Sequence, residues 1–313
     1  MGSAPKLAIV IVSWNTCRLL SDCLSSIYNT VRRYRFDVIV VDNASSDGSA
    51  EHVRREYPQV RLIETGANVG FARGNNVALS QIQSDYVLLL NPDTVAHEGA
   101  IDGLCDVLEL LPTVGAVGAQ LLNPDGTPQH SWGRFPTAAR EVPLLRNLFR
   151  NEAESFPVSI GDEHLSLLRV DWAKGASLMI RSAALAQVGL LDEDYWLYTE
   201  ETDWCYRARQ MGWDILARPD VFFTHIEQAS SAQRLGKSFV NFADSRVLFA
   251  RKTQGRLAAG VVWAVFATRS LAWYILPSRS YLGRPEAGYS RHDVRAAYKT
   301  YLQTSLERFL GRS

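Results

Sequence analysis

The sequence has few cysteines and no long hydrophobic run, and both absences narrow the class of protein. Only four cysteines occur in 313 residues, and none forms a CxxC pair. This disfavours a zinc site or a disulfide scaffold and predicts reduced core cysteines in a cytoplasmic chain. The first apolar run, Leu7 to Val12, is too short for a signal peptide, and the eleven apolar residues from Leu257 to Ala267 are too few to span a bilayer.

Net charge is also lacking, but the two signs are separated along the chain. Lys and Arg total 33, and so do Asp and Glu. Residues 246–313 contain 12 Lys and Arg against three Asp and Glu, so the tail is basic and residues 1–245 are acidic. A basic tail predicts an anionic partner, either nucleic acid or the face of an anionic membrane.

The apolar segment within the tail favours the membrane over nucleic acid. It resumes from Leu271 to Pro277, with two aromatic residues, and cations flank it on both sides: Arg251, Lys252, Arg256, Arg279 and Arg284. This combination predicts a helix that lies in the inner face of the bacterial cell membrane, as a peripheral attachment. The alternative is a helix packed on the rest of the chain or in a homodimer interface, because wholly apolar helices are often buried.

Buried strands alternate with helical segments through the first 120 residues. Apolar runs such as Leu7–Ser13, Phe36–Val41 and Tyr86–Leu90 are each followed by a helix-like pattern. This alternation predicts an α/β fold with a mostly parallel, doubly wound sheet and helices on both faces. From Asn123 to Glu163 five prolines break the rhythm, which predicts a long excursion over the surface, around a bound substrate.

These patterns predict two domains. The first is the α/β domain, over residues 1–245, in which strands and helices alternate as far as about residue 120. The second is a basic, partly apolar helical extension over residues 246–313.

An abrupt strand end at Asn91-Pro92-Asp93 marks the predicted site. Proline cannot donate to a sheet ladder, so the strand must end there. Asp93 then lies just past the carboxyl end of a central strand, where open α/β sheets bind ligands. A carboxylate in this place suits a divalent cation, Mg²⁺ or Mn²⁺, and such a cation suits a diphosphate. The alternative is that Asp93 caps the next helix.

Two other early strands end in polar residues at the same predicted edge. Ser13, Trp14 and Asn15 follow the first strand, and Asp42 ends the second. Asp42 could accept a hydrogen bond from a base N–H, and Trp14 could offer a ring face. Ordinary turn chemistry is the alternative for each.

A glycine-containing loop precedes the third helix. It runs from Asn68 to Asn76, with Gly70 and Gly74 on either side of Arg73. Glycine permits close backbone approach, and a helix start with an arginine attracts phosphate. We predict a loop that faces a ribose or phosphate, with turn chemistry again as the alternative.

Three carboxylates crowd the start of a later helix. Glu200, Glu201 and Asp203 lie among aromatic residues, with Arg207 one turn beyond Asp203. Crowded carboxylates raise one another's pKa, which suits general acid/base chemistry. Asp203 and Arg207 could instead form a structural pair. His225 ends a strand-like stretch and is either a metal ligand or a core histidine.

Taken in order, these motifs resemble those of glycosyltransferase family 2, in its bacterial rhamnosyltransferase-like branch. The resemblance covers about residues 6–230 and rests on Asp42-Asn43-Ala-Ser-Ser-Asp47, the Asn68–Asn76 loop, Asn91-Pro-Asp93, Gly175-Ala, Glu200-Glu201-Thr-Asp203 with Arg207, and His225 with Ser230. It implies a GT-A fold, a nucleotide-sugar donor, a divalent cation and inversion at the anomeric carbon. It also implies that residues 1–245 are a catalytic domain, with a nucleotide-sugar-binding half of about 1–120 and an acceptor-binding, catalytic half of about 121–245.

The resemblance also implies a role for each matching residue. Asp42 would bind a pyrimidine base, with Asn68, Arg73 and Asn76 near the nucleoside. Asp93 would be the aspartate of the family's DxD element and bind the metal, with His225 near the metal and diphosphate. Glu201 falls where the family has the aspartate that acts as catalytic base.

Two departures from the family pattern qualify these roles. The DxD element is reduced to Asn91-Pro-Asp93, so a second metal ligand must come from elsewhere, and His225 is the candidate. The base position holds Glu rather than Asp, which leaves the choice between Glu200 and Glu201 open. Asp203 would then position its neighbours through Arg207.

The function implied is transfer of a sugar from dTDP-rhamnose or a UDP-sugar to a hydroxyl of a glycan or lipid-linked acceptor in cell-surface glycan synthesis. One alternative is a sugar-nucleotide-binding scaffold protein of the same fold, which the reduced metal motif allows. Another is nucleotidyl transfer, although Ser13-Trp14-Asn15-Thr16 after the first strand is not a lysine-containing phosphate loop.

Overall fold

A computed structural model describes residues 6–145, 153–160, 163–226, 235–275 and 291–309. The chain divides into two compact units. The first consists of Met1–Phe135, Glu152–Asp194 and Glu200–Ala229, and the second of Pro136–Asn151, Tyr195–Thr199 and Ser230–Ser313. The domain boundary predicted after residue 245 stays a prediction. Ser230, Arg279 and Arg284, which the sequence analysis singled out, lie outside the described residues.

Strands dominate the first unit. They are β1 (Lys6–Ser13), β2 (Arg35–Asp42), β3 (Arg61–Glu64), β4 (Tyr86–Leu90), β5 (Thr94–Ala96), β6 (Val114–Leu122), β7 (Trp132–Gly133), β8 (Glu154–Ile160), β9 (Glu163–Arg169), β10 (Trp172–Ala173), β11 (Ser177–Arg181) and β12 (Asp214–His225).

The helices fall in both units. They are α1 (Cys17–Thr30), α2 (Ser49–Glu56), α3 (Phe71–Leu79), α4 (Ala100–Leu110), α5 (Ala138–Glu141), α6 (Ser182–Val188), α7 (Glu200–Gln210), α8 (Leu235–Gln254), α9 (Arg256–Ile275) and α10 (Arg291–Phe309).

Side chains of β1 alternate between two apolar layers, as a strand buried on both faces requires. Leu7, Ile9 and Ile11 point to the layer that α1, α2 and α4 cover. Val10 and Val12 point to the layer that α3, α6 and α7 cover. The sheet therefore has helices on both faces, which confirms the predicted α/β class.

The sheet is mixed, with parallel pairing from β3 to β4 and between β6 and β12, in agreement with the predicted, mostly parallel sheet. Its strand order is β3-β2-β1-β4-β11-β6-β12-β9-β8, and β11 runs antiparallel to both of its neighbours. Ser177, the first residue of β11, lies opposite Leu90, the last of β4. The chain thus enters β11 at the carboxyl edge, without the crossover that a parallel strand needs.

A short strand that the sequence did not predict links two site residues. β5 pairs antiparallel with the end of β12, so that Thr94 lies opposite His225 and Ala96 opposite Phe223. The predicted surface excursion over 123–163 also contains regular structure, since β7 pairs with β10 and β8 with β9. Residues 146–152 and 161–162 of this excursion lie outside the described residues.

The second unit is helical and has its own apolar core. Val240 and Ala250 of α8, Val262 and Phe266 of α9, and Tyr301 of α10 pack together there. The ring of Phe239 contacts the rings of Phe266 and Tyr301 edge to face. No helix among the described residues is long and apolar enough to cross a membrane.

Gly118 in β6 offers a test of the packing between the central sheet and β10. A Cβ at Gly118 would overlap the Cβ of Ala173, while its next neighbours would lie at ordinary contact distance. Gly118→Ala should therefore lower the free energy of unfolding by about 1–3 kcal/mol through overpacking. Urea unfolding measures this change.

The double variant Gly118→Ala with Ala173→Gly is the matched control. It removes the overlapping methyl group, so it should be less destabilised than the sum of the two single variants, by on the order of 1 kcal/mol. Additive single and double variants would contradict this packing.

Candidate active site

Asp93 and His225 meet at the carboxyl edge of the sheet. Their side chains are both buried, and Asp93 Oδ1 lies 3.3 Å from His225 Nε2. The pairing of β5 with β12 brings them together, and the Ile226 amide donates to the Asp93 carbonyl at 2.8 Å. Asn91 Nδ2 also lies 3.3 Å from His225 Nε2. The predicted proximity of these three residues is thus present in the structure.

Asp42, the predicted base-binding residue, has one carboxylate oxygen engaged and one without a partner. Oδ2 accepts from the Ser45 amide at 2.9 Å. Oδ1 is buried, and no donor within the described part of the chain reaches it. A buried acceptor without a partner costs on the order of 1–3 kcal/mol, so this oxygen is able to accept a further hydrogen bond.

The residues after β1 are tied to the loop after β2. The main-chain N–H of Asn15 donates to Ser45 Oγ at 3.0 Å, and the side-chain Oδ1 of Asn15 accepts from the main-chain N–H of Ser46 at 2.7 Å. Ser13 is fully buried, and its hydroxyl lies 2.9 Å from that of Thr16. Both side chains therefore serve the loops themselves.

Trp14, which lies between them, is half-buried. The predicted contacts of Ser13, Trp14 and Asn15 with a nucleotide-sugar stay predictions.

The loop before α3 combines exposed and buried residues. Asn68 is exposed and accepts from the Gly70 amide at 3.1 Å, and Gly70 adopts a φ of 86°. Arg73 is exposed, with Nε 3.9 Å from a carboxylate oxygen of Glu193. These placements are compatible with the predicted nucleoside contacts, which stay predictions.

Asn76 is placed differently from Arg73. Its amide is buried and holds the Leu191 backbone, because Nδ2 donates to the Leu191 carbonyl at 2.8 Å and Oδ1 accepts from the Leu191 amide at 3.0 Å. Nδ2 also donates to Glu193 at 3.0 Å. This amide already has a structural function, and its predicted place near the nucleoside stays a prediction.

Glu200 and Glu201, the first residues of α7, have different surroundings. Glu200 is fully buried, and no donor in the described ranges reaches its Oε2. Burial, and then the neighbouring charge of Glu201, raise the pKa of Glu200 well above its ordinary value. The residues just before α7 are strained, since Tyr198 and Thr199 have φ values of 72° and 73°.

Gly175 connects Glu201 with the rest of the edge. A Cβ at Gly175 would lie 3.4 Å from the Cβ of Glu201 and 3.7 Å from the Phe71 ring of α3. The carbonyl of the next residue, Ala176, accepts a hydrogen bond from the main-chain N–H of Asn91 at 3.1 Å. The Gly175-Ala segment, which is part of the family resemblance, therefore lies between Glu201 and the Asn91-Pro-Asp93 turn.

Asp203 and Arg207 form the predicted structural pair. Arg207 Nε donates to Asp203 Oδ2 at 2.8 Å, and the other guanidinium nitrogens donate to the carbonyls of Val188 and Leu190, each at 2.9 Å. Asp203 thus orients an arginine that ties α7 to the end of α6.

Comparison with known proteins identifies the family. The sequence model described as glycosyl transferase family 2 matches residues 8–175, which is more than half of the chain. The chain belongs to glycosyl transferase family 2. It is therefore a glycosyltransferase.

Two rhamnosyltransferases are among the relatives of this glycosyltransferase. An N-acetylglucosaminyl-diphospho-decaprenol L-rhamnosyltransferase of Mycobacterium tuberculosis is 27% identical over 290 residues, which cover 86% of this chain and 92% of the relative. Rhamnosyltransferase WbbL of Escherichia coli K12 is 22% identical over 246 residues, which cover 74% of this chain and 87% of the relative.

Solved structures support the GT-A fold of this glycosyltransferase. The mannosyltransferase PcManGT from Pyrobaculum calidifontis, in complex with GDP-Man and Mn²⁺, superposes with a TM-score of 0.59. The match covers 99% of this chain and 88% of that structure at 17% identity, so it shows the fold alone.

The Asp93–His225 pair has the chemistry to hold a divalent cation. A carboxylate and an imidazole nitrogen suit Mn²⁺, whereas Mg²⁺ prefers oxygen ligands. Among the described residues, no cluster of three or more His, Cys, Asp or Glu side chains could hold a metal ion. A cation at this pair would need further ligands from the diphosphate or from water.

One residue at this edge of the sheet was not predicted from the sequence. Gln129 is buried, and its Oε1 lies 2.9 Å from His225 Nδ1. It lies in the proline-containing stretch after β6, and a lone glutamine carries no sequence signal. Only the fold of the chain around His225 shows this contact.

The raised pKa of Glu200 has a measurable effect on stability. The folded state keeps the Glu200 proton, while the unfolded chain releases it above its ordinary pKa of 4.5. The unfolded state then binds fewer protons, so the free energy of unfolding falls as pH rises above that value. Glu200→Gln removes this titration. The free energy of unfolding of the variant minus that of the wild type should therefore rise with increasing pH, by up to about 1.4 kcal/mol per pH unit.

Urea unfolding at a series of pH values from about 5 to 8 measures this difference. Glu51→Gln, on the exposed face of α2, is the control and should show no such trend. A Glu200→Gln difference that does not change with pH would contradict a protonated, buried Glu200.

Proposed function

We propose that this glycosyltransferase acts by inversion, with a divalent cation, on a nucleotide-sugar donor. The observation that carries the proposal is the arrangement of Asp93 with His225 at one strand edge, joined through Asn91 and Ala176 to the segment beside Glu201. A cation ligand pair and a carboxylate are the two groups that an inverting transfer requires.

The reaction is a single displacement in which Glu201 is the general base. Glu201 accepts the proton of an acceptor hydroxyl as its oxygen forms a bond to the anomeric carbon. The bond from that carbon to the phosphate oxygen breaks, and the electron pair leaves with the nucleoside diphosphate. A cation bound at Asp93 and His225 would neutralise the charge on the departing diphosphate.

Glu201 suits the base better than Glu200 because a base must be ionised and accessible. Burial, and then the charge of Glu201, raise the pKa of Glu200, which makes Glu200 harder to ionise. Glu201 is slightly more exposed than Glu200, at 8% against 3% of its surface. The structure thus supports the choice that the family resemblance suggested.

The donor and acceptor follow from the relatives and from Asp42. The relatives named as rhamnosyltransferases, one of them named for a diphospho-decaprenol acceptor, favour dTDP-rhamnose and a lipid-linked glycan in cell-surface synthesis. The free oxygen of Asp42 would accept from the N–H of a pyrimidine base, which thymine and uracil both supply. A UDP-sugar is the second donor candidate.

Separate effects on binding and turnover test these assignments. Asp93→Ala should abolish the metal-dependent rise in melting temperature that dTDP or UDP produces, because the ligand binds only the native state. Glu201→Gln should keep that rise but lose turnover by at least about 100-fold, which is the usual contribution of a general base.

Thermal denaturation with and without Mn²⁺, and donor hydrolysis or transfer, measure the two effects. Asp220→Asn, an exposed carboxylate in β12, serves as the control. Near-normal turnover in Glu201→Gln would contradict its assignment, and an unchanged metal effect in Asp93→Ala would contradict the cation site.

We also propose that α9 attaches the enzyme to an anionic membrane surface, as a peripheral protein of the inner face. One side of α9 packs in the core of the second unit through Val262 and Phe266. The other side exposes apolar residues at helical spacing: Leu257, Val261, Leu271 and Ile275. The net positive charge of residues 246–313 complements anionic lipid.

Vesicle sedimentation tests this attachment. The wild type should bind phosphatidylglycerol vesicles more tightly than phosphatidylcholine vesicles, and Val261→Glu with Leu271→Glu should weaken binding at least about 10-fold. Leu144→Glu is the matched control, because Leu144 is 90% exposed in the same unit but lies outside α9.

Equal binding by the α9 variant and the wild type would contradict the proposal. A dimer that the same substitutions dissociate, without any vesicle binding, would instead assign this face to contact between two copies of the chain.

A further inference from the structure

We propose that Gln129 is a positioning residue that fixes the tautomer of His225, with the ring proton on Nδ1 and a lone pair on Nε2 directed toward the cation. This inference rests on the proposed cation site. It concerns a buried glutamine outside the motifs that resemble the family, and it follows from the hydrogen bonds of the described residues.

The orientation of the Gln129 amide is fixed by its partners. Gln129 Nε2 lies 2.7 Å from the main-chain carbonyl of His225, and a carbonyl oxygen can only accept a hydrogen bond. The amide nitrogen must therefore be on this side. Its second proton goes to Asn123 Oδ1, at 2.9 Å.

The same orientation decides which ring nitrogen carries the proton. Because both protons of Gln129 Nε2 are used in these two bonds, the atom that faces His225 Nδ1 at 2.9 Å is Gln129 Oε1. An amide oxygen accepts and cannot donate, so Nδ1 must be the donor. In the neutral ring the other nitrogen, Nε2, then carries the lone pair, which is the form that binds metal ions.

The surroundings of Nε2 agree with this assignment. Asn91 Nδ2, a donor, lies 3.3 Å away, and Asp93 Oδ1, an acceptor, also lies 3.3 Å away. A lone pair that faces a carboxylate oxygen at this distance is repelled unless a positive charge lies between the two. A cation bound by both atoms removes that conflict.

A turn after β6 holds Gln129 in place. Asn123 Nδ2 donates to Thr127 Oγ1 at 2.7 Å, and Thr127 Oγ1 donates to Asp125 Oδ1 at 2.6 Å. The main-chain N–H of Gln129 donates to the Leu121 carbonyl at 2.8 Å. The donors thus run in one direction from His225 to Asp125, and each bond fixes the next.

Histidines that bind metal ions almost always donate the other ring N–H to a fixed acceptor, and loss of that acceptor typically costs about 10- to 100-fold in metal affinity. The same loss is expected in Gln129→Leu, which has no acceptor for Nδ1–H. Gln129→Glu keeps an acceptor at the same position but loses both donated bonds.

Two substitutions at Gln129 therefore separate positioning from mere packing. Both should lower the melting temperature, because each loses the bonds to Asn123 and to the His225 carbonyl. Only Gln129→Leu should weaken Mn²⁺ binding in the presence of UDP, by about 10- to 100-fold, whereas Gln129→Glu should retain it. Electron paramagnetic resonance of free Mn²⁺ measures this affinity without any turnover.

Nitrogen-15 NMR of the histidine rings, without metal, tests the tautomer itself. The His225 signals are assigned by their absence from His225→Asn. The wild type and Gln129→Glu should show Nδ1 protonated, and Gln129→Leu should show a mixture of tautomers. Gln81→Leu, an exposed amide at the end of α3, is the control and should resemble the wild type.

The outcomes separate this inference from the proposed function. If the wild type binds Mn²⁺ and Asp93→Ala does not, but Gln129→Leu has normal affinity and a single tautomer, the inference is overturned while the cation site stands. Equal losses of affinity in Gln129→Leu and Gln129→Glu would also overturn it. If the wild type binds no Mn²⁺ with UDP, both the cation site and the inference are overturned.

Discussion

The pairing of β5 with the end of β12 is the constraint on which the site depends. Three backbone pairs place Thr94 opposite His225 and so bring Asp93 beside the imidazole. β12 is itself fixed by parallel pairing with β6, including an irregular register before Phe222. A slip of one residue would turn His225 to the other face of the sheet, so the register of two strands sets the position of a side chain.

Two of the buried acceptors without partners belong to residues of the candidate site. Native proteins satisfy nearly all buried polar groups, and each exception calls for an explanation. Asp42 Oδ1 at the end of β2 and Glu200 Oε2 at the start of α7 are such exceptions within the described ranges. Their surroundings differ: exposed loop residues surround Asp42, whereas burial and the charge of Glu201 raise the pKa of Glu200, which lowers the cost of its unpaired oxygen by favouring the neutral form.

The sequence predicted features that local chemistry determines. Apolar runs identified β1, β2 and β4, and the Asn91-Pro92-Asp93 stop located the edge of the sheet. It did not predict β5, the antiparallel direction of β11 or the contact of Gln129 with His225, because each depends on where distant segments return. It also suggested that loop glycines make room for a ligand, whereas Gly74 makes room for Val12, whose Cγ1 would lie 2.9 Å from an added Cβ.

The three carboxylates at the start of α7 divide their functions according to their surroundings. The Arg207 guanidinium is held by Asp203 and by two carbonyl groups, so it is not available to neutralise the neighbouring glutamates. Burial, and then the charge of Glu201, raise the pKa of Glu200 well above its ordinary value. Glu201 lies beside Gly175, where an added Cβ would be 3.4 Å from the Cβ of Glu201. The general base that we propose thus has a neighbour that binds its proton more strongly than an ordinary glutamate does.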